Sequence, residues 1–335
     1  MLRKYVELDG VSGRESEVAK AFRRDIAPYC DWTEIDTMGS VIGCINPGMK
    51  TSIMIASHMD EVGIMVRYIT PQGYLQFVPI GGLSIETIQD QEVRFTNGTF
   101  GVIGSTPPHL LAPGQKQKME DMYVDIGAKD AAEVKEMGLK IGSVAVINSE
   151  FREIGKDYIM GKALDDRAGL VAMLEAIKNI DNPEATIYIV GSVQEEVGLK
   201  GARSAVVKYN PTYAIAIDVT MAGDNPGVPI NKAPVECGKG PVLVIADGAG
   251  RGIIASPKLN DMILDIAEEF DIDIQEEVSS GGTTDATMMQ LIGETRHATC
   301  LSIPTRYIHA PRTVMHYDDY KALIELLTEM LNWIK

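Results

Sequence analysis

Seven side chains in this sequence are of the types that bind cations or move protons: His58 and Asp60 in SHMDEVG, Asp165 in GKALDDRAG, Glu195 and Glu196 in VQEEVGLKGA, Asp218 in AIDVT and His309 in RYIHAP. Their positions share a feature. His58 and Asp60 follow the apolar run TSIMIAS, Glu195 and Glu196 follow IYIVGSV, Asp218 ends YAIAID, and His309 follows CLSIPTRY. These are the carboxyl ends of expected strands, the edge at which open α/β sheets place ligands. With Asp166, which also suits a helix start, one cleft would gather six carboxylates and two imidazoles. Clustered like charges do not all stay ionised without a counter-charge. Two divalent cations answer that need, with Asp165, Glu196 and Asp218 as anionic ligands and the two imidazoles completing the spheres. Imidazole and carboxylate without thiolate suit zinc, cobalt or manganese rather than calcium. Asp60, two residues beyond His58 in an extended segment, is placed to orient that imidazole.

The elements that must position these groups follow from periodicity. The runs 187–193, 213–219, 241–246, 271–278 and 298–304 read as strands. Helical spacing appears around Leu170, Met173, Leu174 and Ile177, again from Leu259 to Phe270, and over about 318 to 334. Residues 14–27 form another amphipathic helix and 51–57 another buried strand. The expected fold class is α/β, a mixed, largely parallel sheet with helices on both faces. Between about 68 and 156 the pattern changes to short strands with frequent Pro and Gly and an Asn97-Gly98 hairpin signal. The expected organisation is therefore a catalytic domain of residues 1–67 and 157–335, interrupted by a small all-β domain at 68–156. The irregular stretch 107–122 is long for a loop in a compact domain and reads as disordered or as a subunit contact.

Composition narrows the function classes. The 335 residues carry a formal charge of −16, which argues against nucleic acid and anionic membranes as partners. No apolar run approaches the roughly 20 residues of a membrane span, and the start, MLRKYVELDG, lacks the core of a signal peptide, so a cytoplasmic location is expected. Cys30, Cys44, Cys237 and Cys300 stand singly and read as core residues. His109, His297 and His316 have no such neighbours and read as surface or locally hydrogen-bonded groups, and the methionines as core filler. Asp285 is either a helix cap or part of a substrate loop. Arg251 and Arg306 offer a guanidinium either to an acidic side chain or to surface ion pairs.

Taken in order, the five motifs resemble those of the M42 metallo-aminopeptidases, the family that forms tetrahedral TET particles, and the likeness covers nearly the whole chain. The resemblance implies that His58 and Asp218 hold one metal, Glu196 and His309 the other, and that Asp165 bridges them. It implies that Glu195 is the general base, taking a proton from a metal-bridging water that attacks the peptide carbonyl. It further implies short peptides as substrates, and dimers, formed through the inserted β domain, that build a dodecamer. Two departures, Thr283 in GGTTDA and the sequence PRTV after His309, bear on substrate preference. Some relatives carry the label endoglucanase, which makes a carboxylate-pair glycoside hydrolase an alternative. A catalytically silent metal-binding shell protein is the other, and the presence of Glu195 speaks against it.

Overall fold

The computed structural model describes residues 1–112, 114, 116–292 and 297–335. An 11-stranded sheet forms its centre, and its inner strands run in the order Thr186–Ser192, Ser52–His58, Tyr213–Met221 and His297–Arg306. These four are mutually parallel, in register from Ser192 opposite His58 and from Asp218 opposite Ser302. The expectation of a largely parallel sheet holds for this centre and for the pair Val242–Ala246 and Gln275–Val278, which branches antiparallel from His297–Arg306. Val41–Ile45 joins Thr186–Ser192 antiparallel, Thr313–His316 joins His297–Arg306 antiparallel, and Trp32–Ile35, Tyr158–Gly161 and Arg152–Ile154 continue outward antiparallel. These flanking strands are short, and Trp32–Ile35 with Val41–Ile45 and Arg152–Ile154 with Tyr158–Gly161 follow one another through turns rather than crossover helices, so the periodicity that marks a parallel unit is missing from them. Likewise only Gln275–Val278 of the expected strand 271–278 is extended, because the helix Pro257–Glu269 ends at Phe270 and Asp271 takes a positive φ of 54°.

Alternation along the central strands sends side chains to two cores. Ile53 and Ile55 pack under the helices Ser16–Ile26, Leu164–Ile177, Pro257–Glu269 and Tyr317–Trp333, whereas Met54 and Ala56 pack under Lys200–Tyr209 and Asp285–Leu291. Helices thus cover both faces. With both faces buried, the strands read as unbroken apolar runs.

A second body is a closed barrel whose strands run from Gly63 to Ile147, in the order Gly63–Ile69, Leu75–Ile80, Tyr123–Asp125, Phe100–Gly104, Glu92–Phe95 and Val144–Ile147. Its interior holds Ile64, Val66, Phe77, Phe95 and Val124. The Glu92–Phe95 and Phe100–Gly104 strands form the expected hairpin, with Gly98 at φ 88° closing the turn. Gly63 is where the barrel meets the sheet: a Cβ there would come within 2.5 Å of Val11 and 2.7 Å of the Ala145 carbonyl oxygen. Of the stretch 107–122, Pro108–Leu110 and Met119–Asp121 form single helical turns, while residues 113 and 115 lie outside the described residues.

Candidate metal centre

The central strands deliver their terminal residues to one cleft. His58 ends its strand, Asp218 lies near the end of the neighbouring one, and Asp165 sits at the non-helical start of Leu164–Ile177. Glu195 and Glu196 follow Thr186–Ser192 in a turn whose first residue, Gln194, holds φ 56°, and His309 follows His297–Arg306 with φ 57°. Positive φ at residues bearing side chains costs of order 1–3 kcal/mol each and concentrates at functional sites.

Two donor groups result. His58 Nε2 lies 3.0 Å from Asp165 Oδ1 and 3.9 Å from Asp218 Oδ1, and His309 Nε2 lies 3.2 Å from Asp165 Oδ2 and 3.4 Å from Glu196 Oε2. The ligand atoms of each set, His58/Asp165/Asp218 and Asp165/Glu196/His309, lie within 4.8 Å of one another. The two oxygens of Asp165 therefore face the two sets. Glu195 belongs to neither set but lines the same cleft.

Burial and like charge dominate the electrostatics of the cleft. Burial pushes Glu195 and Asp218 well above the usual carboxylate range and Glu196 up to about 7, with neighbouring carboxylates adding to the effect. Its hydrogen bond to Asp165 and the surrounding charge raise His309 to about 9. Burial works against an ionised Asp165, but His309 and His58 outweigh it and hold that carboxyl low. Protons stand in here for positive charge. The donor set fits divalent ions: beside the shared Asp165 each set has one carboxylate and one imidazole, and no thiolate.

Asp60 is fully buried and does more than face His58. His58 Nδ1 lies 3.1 Å from the Asp60 carbonyl oxygen and 3.5 Å from its carboxylate. That carboxylate accepts from Glu195 N–H at 3.0 Å, Glu196 N–H at 3.2 Å and Ser12 Oγ at 2.6 Å. It thus anchors the backbone of both glutamates.

Asp166 is buried too, and accepts from Ser57 Oγ and from Gly169 N–H at 3.1 Å. The cap of the helix Asp285–Leu291 is Thr284, whereas Asp285 accepts from Ser192 Oγ. Arg306 pairs with Asp224, and Arg251 donates to the Gly248 carbonyl oxygen. His316 accepts from Asp318 N–H, and His297 Nδ1 lies 2.8 Å from Ser256 Oγ. Cys44, Cys237 and Cys300 are buried, and Cys30 partly so.

A buried ion network supports the site from beneath. Arg167 is inaccessible to solvent and donates to the carbonyl oxygens of Met59, Tyr5 and Leu8 at 2.9, 2.7 and 2.9 Å. Lys162 holds both oxygens of Glu61 at 2.8 and 3.0 Å. In sequence these residues stand within KALDDR and SHMDEVG, where no local pattern sets them apart from other charged residues.

Comparison with known proteins agrees with this geometry. The family model of the M42 glutamyl aminopeptidases matches residues 39–326. A lysyl aminopeptidase of Pyrococcus furiosus is 36% identical over 349 aligned positions, covering 100% of this chain and 97% of its own. Aminopeptidase APDkam598 from the archaeon Desulfurococcus kamchatkensis superposes with a TM-score of 0.95 at 38% identity, over 99% of this chain and 93% of its own. The TET1 peptidase of Pyrococcus horikoshii, which can assemble into a tetrahedron or a large octahedral shell, gives 0.88 at 33% identity, over 98% of both chains. This chain belongs to the M42 aminopeptidase family, metal-dependent hydrolases of the peptide bond.

Proposed function

We propose that the protein removes single residues from the free amino end of short peptides, using two divalent cations held by five of its side chains. His58 and Asp218 would hold one ion, Glu196 and His309 the other, and Asp165 both. The observation that carries this reading is the bridging placement of Asp165, with Oδ1 and Oδ2 directed at different imidazoles. Zinc or cobalt suits the donors best. When bound, the ions supply Lewis acidity toward the scissile carbonyl and lower the pKa of water in the site.

The chain's own groups do the rest. Glu195, beside the ligands but outside both sets, is the general base: burial makes its carboxylate a proton acceptor, and it passes the proton to the leaving amine. Asp60 fixes the turn from which Glu195 projects and sits behind His58. A cleft of about 750 Å³ beside Glu195 and Asp218 accommodates a peptide's first residues.

The domain reading follows the same lines with shifted limits: the main sheet and its helices form the catalytic unit, and the inserted unit for self-association is the barrel from Gly63 to Ile147 rather than 68–156, because Gly63–Ile69 pairs inside the barrel and Arg152–Ile154 inside the main sheet. Exposed Tyr68, Val78, Phe100 and Val102 on the barrel supply the apolar surface such contacts need. Since TET1 of Pyrococcus horikoshii assembles into closed shells, dimers joined by the barrel would build a dodecamer. The free cysteines accord with a cytoplasmic setting, and among the described residues no helix is long and apolar enough to cross a membrane.

The test is release of free amino acid from aminoacyl anilides and a short peptide mixture, before and after chelation and with zinc or cobalt restored. Turnover that needs the metal and an unblocked amino end supports the reading. Glycan hydrolysis surviving chelation would replace it with the carboxylate-pair alternative.

A further inference from the structure

The cleft that opens from the metal centre has a second acidic wall that the reaction does not use. Thr220 lies two residues beyond Asp218 on one strand, so both side chains point to the same face about 6.6 Å apart. Thr220 Oγ1 donates at 2.7 Å to Oε2 of Glu277, which projects from Gln275–Val278. Asp247 follows the adjacent strand Val242–Ala246, and both carboxylates line the cleft while being only 5% and 7% exposed.

Neither carboxylate is neutralised. Asp247 accepts from Ile253 N–H through Oδ1, but its buried Oδ2 has no partner. Among the described residues neither Asp247 nor Glu277 has an ion-pair partner; Lys232, the lysine of this cleft, is exposed at its rim. Arg306 is held by Asp224 and Arg251 donates to the Gly248 carbonyl oxygen, so among the described residues neither of these guanidinium groups is paired with Asp247 or Glu277. Val244 and Ile308 add apolar lining to the same cleft. Two buried carboxylates facing one space call for a cation, and a methylene stem suits the apolar stretch leading to them.

We propose that the end of the cleft walled by Asp247 and Glu277 receives the side chain of the substrate's N-terminal residue and selects a cationic one, lysine or arginine. This rests on the aminopeptidase reading above. With the substrate's amino end at Asp218, a four-carbon stem directed along the strand brings its ammonium to the carboxylates beside Thr220. An acidic side chain entering the same space would meet two like charges without solvent to screen them.

The experiment compares lysyl, arginyl, leucyl and glutamyl p-nitroanilides on the metal-loaded protein. Lysyl and arginyl substrates should exceed the glutamyl one in kcat/KM by at least about 100-fold and the leucyl one by about tenfold. Glu277→Gln keeps an acceptor for Thr220, and Asp247→Asn keeps one for Ile253 N–H. Each should cut the lysyl-to-leucyl ratio by at least about tenfold, mainly through KM. Lysinamide and norleucinamide, which share a straight carbon stem and differ by the ammonium, give a readout that needs no variant. As inhibitors of the wild-type enzyme, the first should bind at least about tenfold more tightly. Equal inhibition, or a leucyl or glutamyl preference, overturns the pocket and leaves the aminopeptidase reading standing. Failure to cleave any anilide or peptide with metal bound removes both.

Discussion

Replacing Asp60 by asparagine turns one oxygen of a fully buried carboxylate into an amide nitrogen while keeping its shape. Oδ1 accepts from Glu195 N–H, and Oδ2 from Glu196 N–H and Ser12 Oγ. The serine hydroxyl can turn and accept, but a backbone N–H cannot. Whichever way the amide lies, its NH2 faces one of the two glutamate N–H groups, and the other loses a charged acceptor. Hydrogen bonds to charged groups contribute about 1.5–3 kcal/mol, and an orphaned buried donor costs about 1–3 kcal/mol. The turn 194–198 should therefore open more easily by about 2–4 kcal/mol, or about 30- to 1000-fold in its opening equilibrium. Hydrogen exchange read by mass spectrometry on the full-length metal-free protein measures this directly, on a peptide covering 193–199. The metal-loaded variant should also lose turnover, because Glu195 projects from the loosened turn. Unchanged protection at Glu195 and Glu196 would refute the argument that Asp60 organises the pair.

Other consequences can be checked together. Glu195→Gln should keep its full metal content by elemental analysis and lose about 10²–10⁴ in kcat, since only proton transfer is removed; full activity would take the base assignment away. Gly82→Ala places a Cβ 2.6 Å from His309 Nδ1, so the ring must shift, and metal affinity should fall by about tenfold or more in a competition titration against a chromophoric chelator. In the metal-free protein, Glu196 is raised from its ordinary value to about 7 and His309 to about 9. Both shifts mean that the folded state binds more protons than the unfolded one, so stability is complete below about pH 4.5 for the first group and about 6.5 for the second. It is lost as pH rises through 7 and 9. Asp165, held low, gains its stability below this window and does not alter the trend. The thermal midpoint of chelated protein should fall between pH 5 and 9, with the increment given by added metal growing over the same range; a shrinking increment would contradict the sign.

Much of the candidate centre could be read from the chain because most of its proposed ligands follow or end strands. A buried strand announces itself as an apolar run, and the residue after it then has a place on the sheet's edge. His58, Glu195, Glu196, Asp218 and His309 were all visible in that way, and the structure gathers them in one cleft with Asp165. Contacts set by the folded backbone were not visible. Asp60 satisfies N–H groups some 135 residues further along the chain, and no local pattern marks a carboxylate as an acceptor for a distant turn. Arg167 reaches back to Tyr5 and Leu8, which looks in sequence like any charged residue in a first helical turn. The short antiparallel strands flanking the parallel centre lack both the length and the composition of the inner ones, so periodicity is weakest where the sheet departs from parallel. The acidic pair Asp247 and Glu277 comes together only because Val244 lies opposite Glu277 in the strand register.

The claim on which the mechanism depends is that two cations share Asp165. Anomalous diffraction at the metal edge, from crystals grown with zinc or cobalt, tests it most directly. Two peaks are expected, one among His58, Asp165 and Asp218 and the other among Asp165, Glu196 and His309, with Glu195 touching neither. A single peak, or a peak held by Glu195 in place of Glu196, would contradict the account.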